Sequence, residues 1–484
     1  MHKAAIMVCL VLFIAHTISA QNFAFNEEEK IAYRKAWNLQ PSSSSAPIES
    51  AGLRPQTVYI QSLSETLQLI ISEDQKQFDE YENRFQRRLE IFTGKNADEK
   101  LLRGELNLHW AFVHLKFGHE LDGAIHLRRA YHAITELKEQ FPSFQPALKA
   151  SGLLNVMIGS VPEKYNWILD LFNMDGSVQQ GLSELNEISA ADHPMAYEAK
   201  LWHAFIHGFV LQDPAGGLSV LNALVSDLSS EPLVLFLTAN LYIKNGESER
   251  ALHYLNQLDS LRGLPIPYCN YLKGEIHLHK GAYADAIRYY QKFLGEFSGT
   301  NYVKDSYYKI ALSHWLSGKK REAIPYLEKA RQEGKDQTEA DKHAARNLDN
   351  LDLSTVTLTR ARFYTDGGYY NEAEKILNEI DEQSLAIKRH QVEYLYRKAR
   401  LAHKKLDLQK AKTLYKNTIT RSGEEPWYFA PNSCLQLAYI YQSEQNANEA
   451  RKYFEAALKY KKHEYKNSID SKARSGLAHL KVVK

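Results

Sequence analysis

From Phe236 onward, small, large and turn-forming residues recur along the chain at fixed offsets. Ala239, Tyr242, Gly246 and Ala251 set the pattern, and Gly274, His277, Gly281 and Ala286 repeat it. Ala311, His314, Gly318 and Ala323 follow, then Ala361, Tyr364, Gly368 and Ala373. A fifth copy (Ala399, Ala402, Leu406, Ala411) puts leucine in the glycine place, and a sixth reads Ala438, Tyr441, Gln445, Ala450. Residues three or four apart share a helix face, so each copy predicts a helical hairpin. The small residue lets a partner helix cross closely, and the large one three positions on fills the gap beside the crossing. The glycine supplies the left-handed backbone that ends the first helix. The second helix continues the buried face with Tyr290 and Phe293, Leu327 and Ala330, or Phe454 and Ala457. One hairpin leaves such faces in water, so neighbours must stack. The predicted fold class is all-α, a superhelix or solenoid of helical hairpins.

These residues resemble the tetratricopeptide repeat family, whose unit is a helical hairpin of about 34 residues. The resemblance covers about Leu233 to Tyr460 and is closest in the sixth copy. Successive second-helix alanines are 35, 37, 50, 38 and 39 residues apart, so extra length is inserted, most of it between Arg331 and Asn347. The resemblance implies a binding scaffold and no activity of its own.

The amino-terminal half is less regular. Ala111, Gly118, Gly123, Leu127 and Ala130 fit the template loosely, as do Ala204, Gly216, Val220 and Ala223. Between them, Gly152 to Val161 is apolar almost all round, breaks at Pro162, and is followed by an apolar run from Trp167 to Phe172. A helix apolar on every face is buried among neighbours or meets a membrane or partner. Gly152, Pro162, Gly176, Gly181 and Leu182 resemble an element of the fungal inclusion-body-clearance family and its animal relatives.

The first residues add an address. His2 and Lys3, the apolar run Ala4–Ala15 and the small residues before Gln21 form a secretory signal peptide, with cleavage expected after Ala20. The apolar run is too short to span a bilayer, which takes about 20 residues. The expected organisation is a signal peptide at 1–20, a helix and flexible loop at 21–57, and an irregular helical-repeat region at 58–232. The solenoid follows at 233–460, and a basic capping helix at 461–484. The chain is expected to be exported: periplasmic if bacterial, secreted otherwise. Beyond the signal only Cys269 and Cys434 remain, and they are expected to be isolated buried thiols.

Composition narrows the function class. The 484 residues carry 60 Lys+Arg against 58 Asp+Glu, which argues against binding nucleic acid through a basic surface. Neutrality is an average, since Lys459–Lys484 holds eight basic residues and two acidic ones. No phosphate-cradling glycine loop, nucleophile elbow or dinucleotide fingerprint is present, so no cofactor and no catalytic residue is assigned. His203 and His207 share a helix face at metal-pair spacing, but no glutamate base or third ligand accompanies them, and no metal site is assigned.

What remains is a groove lined by the first helix of each hairpin. Positions one and four after the small residue, with their flanks, select Asn240, Lys244, Glu275, His279, Trp315, Arg362, Arg397, Arg400 and Tyr439. Trp315 is the expected aromatic anchor, and the arginines make the later copies cationic. The tetratricopeptide clamp for a terminal carboxylate is not inherited intact: Asn240 stands in the asparagine place, but Phe236 occupies a lysine place. The leading expectation is a non-enzymatic scaffold holding a protein or peptide partner, with an acidic segment admitted by charge. Glutamate at Arg397 and Arg400 is expected to weaken capture without lowering stability. The alternatives are a helical-toroid polysaccharide hydrolase or lyase, and an envelope-associated protein whose Gly152–Gly181 element makes peripheral contact with lipid. No integral membrane span is expected.

Overall fold

A computed structural model describes residues 23–40, 53–161, 169, 172–225, 231–261, 263–349 and 354–482. The expected signal peptide, the serine-rich loop and Pro162 lie outside these residues. Among them every regular element is helical. In chain order they are α1 (Glu27–Trp37), α2 (Pro55–Ser72), α3 (Gln75–Ile91), α4 (Ala97–Phe117), α5 (Glu120–Gln140), α6 (Ala147–Gly159), α7 (Val178–Ala190) and α8 (Met195–Phe205). A π-helical turn (Ile206–Val210) leads to α9 (Pro214–Val225), α10 (Pro232–Asn245), α11 (Ser248–Leu258), α12 (Tyr268–Lys280), α13 (Tyr283–Glu296), α14 (Val303–Leu316) and α15 (Lys320–Gln332). Then come α16 (Glu339–Asn347), α17 (Val356–Gly367), α18 (Tyr370–Asn378), α19 (Lys388–Lys404), α20 (Leu408–Ser422), α21 (Phe429–Ser443), α22 (Ala447–Lys459) and α23 (Lys466–Val482). They divide into two compact units, α1–α11 and α12–α23 apart from a few end residues.

In the first unit α4 pairs with α5, α6 with α7, and α8 with α9. The α6–α7 pair explains the glycines singled out above. A Cβ on Gly181 would lie 2.5 Å from the Gly152 carbonyl oxygen, and one on Gly152 would lie 2.9 Å from that of Gly181. Only glycine lets these two backbones touch. Leu153, Leu154, Val156 and Ile158 are all buried, so the helix that is apolar all round packs inside the unit. Among the described residues no helix is long and apolar enough to cross a membrane.

The repeat's hairpins form as predicted, the first (α10–α11) in the first unit and the other five in the second. The eleven alanines at the crossing positions are at most 2% exposed across the six copies. The large residue three positions on does more than fill a gap. In four of the six copies it stacks on an aromatic ring of its own second helix: Tyr242 on Tyr254 at 5.5 Å, His277 on Tyr289 at 5.1 Å, His314 on Tyr326 at 5.4 Å, and Tyr441 on Tyr453 at 5.6 Å. Offset stacks of this kind are worth about 0.5–1.5 kcal/mol beyond the area they bury.

The polar insertion between Arg331 and Asn347 holds a helix of its own, α16. Its Asp341 is fully buried and accepts from the backbone N–H groups of Tyr302 (2.8 Å) and Asp305 (3.0 Å), at the start of α14. The inserted helix thus caps the third hairpin from outside it. The thiols of Cys269 and Cys434 are both buried, and burial pushes that of Cys434 up to about 12.

All six hairpin turns take the left-handed conformation, including Leu406 (φ 63°) and Gln445 (φ 59°), where glycine is missing. A side chain there costs about 1–2 kcal/mol. Leu406 is 79% exposed and buries little in return. Leu406→Gly is expected to stabilise the protein by about 1 kcal/mol after allowing for glycine's extra unfolded-state entropy. The readout is the denaturant midpoint, and an unchanged or lower midpoint would show that the turn carries no strain.

Candidate binding face of the second unit

One face of the second unit gathers side chains from α12, α14, α16, α17 and α19, together with Tyr428 and Tyr465 ahead of α21 and α23. Its floor is a buried ion network. The Lys309 ammonium lies 2.6 Å from Glu275 and 2.8 Å from Asp305. The Tyr271 hydroxyl donates to Asp305 at 2.6 Å, and that of Tyr290 donates to Glu275. Burial opposes every charge here and raises the Asp305 carboxyl. At Glu275 the ammonium overcomes burial and holds the carboxyl below its usual range.

The walls are aromatic. Tyr308 meets His343 edge-on at 6.2 Å, and His343 stacks on Tyr465 at 6.0 Å. Tyr428 meets Tyr465 edge-on at 5.2 Å, and His279 stacks on Phe363 at 5.4 Å. Two guanidinium groups lie over these rings: Arg362 is 4.6 Å from the Phe363 centroid and Arg346 is 5.7 Å from that of Tyr465. Arg346 and Tyr465 are exposed at the rim, and Arg362, His343 and His279 are half-buried below it. The guanidinium of Arg362 makes no hydrogen bond or ion pair among the described residues. Half-buried over a ring, it holds five donors in a planar fork suited to carboxylate or phosphate.

Of the nine residues selected from sequence, three meet here: Glu275 in the floor, and His279 and Arg362 in the wall. Asn240 and Lys244 belong to the first unit. The Asn240 amide donates to the Phe236 carbonyl at 2.8 Å, and Lys244 lies over the Phe209 ring at 5.1 Å. Trp315 is not a groove anchor: α14 packs against α15, α16 and α17 together and leaves it 4% exposed. Arg397 is also buried, with its guanidinium 2.6 Å from Glu393 and donating to the Tyr428 hydroxyl at 3.0 Å. Glutamate at Arg397 would leave Glu393 uncompensated, a loss of about 3–5 kcal/mol for a buried pair. The expectation that it tests binding without lowering stability is therefore corrected. Arg400 donates to Gln436 at 3.2 Å, and half-buried Tyr439 meets Phe454 edge-on at 5.5 Å, within the last hairpins. Spacing alone missed His343 and Tyr465, because α16 and the turn before α23 lie outside the repeat, and Tyr308, which lies three positions before the small residue Ala311 rather than after it.

The first unit holds a second polar cluster. Lys149 bridges Glu105 (2.5 Å) and Glu198 (3.1 Å), and Glu198 also accepts from Tyr59 (2.5 Å) and Tyr33 (3.1 Å). Burial raises the Glu105 carboxyl to about 7 and lowers the His109 imidazole. Two carboxyl groups, tyrosines and a histidine are the ingredients of acid–base chemistry. Here all of them are buried, and the lysine occupies the space between the carboxyl groups.

His343 makes the second unit sensitive to acid. Burial first, then Arg362, Lys309 and Arg346, lower its pKa to about 3. The unfolded chain protonates this imidazole near pH 6.5, whereas the folded protein keeps it neutral until about pH 3. The unfolded state therefore binds more protons in that window, so stability is full above pH 6.5 and declines as pH falls. Each pH unit is worth up to about 1.4 kcal/mol per group. In His343→Gln the loss of stability between pH 7 and 4.5, followed by denaturant titration, should be smaller than in the parent. Equal losses would remove His343 as a source of acid sensitivity.

Comparison with known proteins agrees with this architecture. A tetratricopeptide repeat family model matches residues 236–300, and a second matches residues 304–330 and 431–464. No curated protein matches the chain. Among solved structures, the human IFIT1 dimer with m7Gppp-AAAA is 14% identical, covering 90% of this chain and 95% of that one at a TM-score of 0.35. The human IFIT1 dimer with PPP-AAAA gives the same identity and coverage at a TM-score of 0.33. Superpositions this loose transfer no ligand. The chain is an all-α helical scaffold that carries tetratricopeptide repeats at residues 236–300, 304–330 and 431–464.

Proposed function

We propose that the protein is an exported, non-enzymatic scaffold that captures an acidic segment of a protein partner on the face around Arg362. The observation that carries this reading is the Arg362 guanidinium, half-buried over Phe363 with no hydrogen-bond or ion-pair partner among the described residues, between Tyr465 and the Lys309 network. An extended acidic peptide places carboxylates on that fork and its aliphatic stems against Tyr465 and His343. An arginine beside aromatic rings is the usual composition of a binding hot spot. Against a hydrolase or lyase stands the blocking of both places where perturbed carboxyl groups, tyrosines and histidines meet among the described residues: Lys149 lies between Glu105 and Glu198 in a sealed cluster, and Lys309 lies between Glu275 and Asp305. Against a lipid-contacting role for the Gly152–Gly181 element stands the burial of Leu153, Leu154, Val156 and Ile158.

The test is anisotropy of a labelled Glu/Asp-rich peptide titrated with the protein. Arg362→Glu is expected to weaken binding at least about tenfold, the equivalent of about 1.4 kcal/mol, with the thermal midpoint unchanged. Equal affinity for parent and variant would remove this face as the site. A single-stranded RNA of matched charge, bound more tightly than the peptide, would replace the protein partner by a nucleic acid. Export is tested separately by intact mass: the mature chain should begin at Gln21, and retention of Met1–Ala20 would refute it.

A further inference from the structure

The geometry points to a zinc site, independent of the partner face, at the turn between α4 and α5. Gly118 (φ 81°) ends α4 in the left-handed conformation, and the His119 N–H donates to the His114 carbonyl at 2.8 Å. This tight reversal folds the His119 ring back onto that of His114, and their Nδ1 atoms lie 3.4 Å apart. Two Zn–N bonds of about 2.0–2.1 Å at the tetrahedral angle put their nitrogens about 3.4 Å apart. The two imidazoles are thus spaced as one edge of a tetrahedral zinc site. Asp122, one turn into α5, supplies a carboxylate oxygen, and the three ligand atoms all lie within 4.8 Å of one another. Asp122 is exposed, so its carboxylate is free to swing onto the ion.

A separate set of contacts has the form of a metal site's outer shell. Glu82 on α3 places a carboxylate oxygen 3.9 Å from Nε2 of His114, the nitrogen turned away from the proposed ion, at ion-pair distance and just beyond hydrogen-bond reach. Histidine ligands of zinc commonly direct their remaining N–H at a carboxylate, which fixes the tautomer and strengthens the donor. The rings are also held in place. Phe78 meets His114 and His119 edge-on at 5.5 and 5.4 Å, and His126 stacks on His114 at 5.0 Å with its own Nδ1 engaged by Asn107 at 3.0 Å. Two histidines, one carboxylate and a water complete a four-coordinate set for Zn²⁺ and tie the start of α5 to the end of α4.

The experiment titrates the full chain with Zn²⁺ against a chromophoric chelator, and with Co²⁺ while watching for the visible bands of a tetrahedral site. One equivalent should bind at micromolar concentration or below and raise the thermal midpoint. His119→Ala should weaken Zn²⁺ binding at least about 100-fold, and Asp122→Asn and Glu82→Gln about tenfold each. His119 is half-buried and Asp122 exposed, and unchanged helicity by circular dichroism will show that their variants fold. Absence of micromolar binding in the parent, or binding unchanged in both variants, would overturn the assignment.

Discussion

Two helix backbones approach closely only where the side chains between them almost vanish, and the fold described here depends on that constraint. Every hairpin of the repeat meets it with alanine or glycine at both crossing points, and α6–α7 meets it with a pair of opposed glycines. Once the crossings are fixed, the remaining positions have little freedom. Large residues must sit beside the crossing, and stacking tyrosines and histidines are the side chains that fill it. Much of the heavy tyrosine use follows from this.

The second organising element is ionic. Each unit places one lysine between two carboxylates, Lys149 with Glu105 and Glu198, and Lys309 with Glu275 and Asp305. Taking such charges out of water costs several kcal/mol per ion, offset only when geometry and additional hydrogen bonds are good. Tyrosine hydroxyls supply those bonds in both places. The two clusters differ in what lies above them. The first is enclosed, whereas the second underlies a half-open aromatic wall that carries Arg362.

The repeat was legible because its rule is local: offsets of three, seven and twelve residues set one hairpin's interior, whatever the neighbours do. The left-handed turns at Leu406 and Gln445 could be placed by register alone, although neither residue favours that backbone. Exposure was less legible, because it depends on packing between hairpins. Trp315 and Arg397 occupy groove positions by spacing, yet the helices packed on α14 bury the one, and Glu393 with Tyr428 engages the other. The same non-local packing brings His343 and Tyr465 to Arg362 from outside the repeat. The His114–His119 pair escaped notice for a different reason. Five residues apart, they share no helix face, and only the reversal at Gly118 joins them.

Asp341 alters how this array can be dismantled. In a simple repeat each hairpin answers only to its immediate neighbours, so stability sums along the stack and units can be removed or shuffled. Here the start of α14 is completed by a carboxylate 36 residues downstream, on an element that belongs to no repeat. The third hairpin therefore has its full set of hydrogen bonds only when the inserted helix is in place. A chain trimmed to its matched repeats would lose the residue that finishes α14, so the insertion is a keystone rather than a spacer.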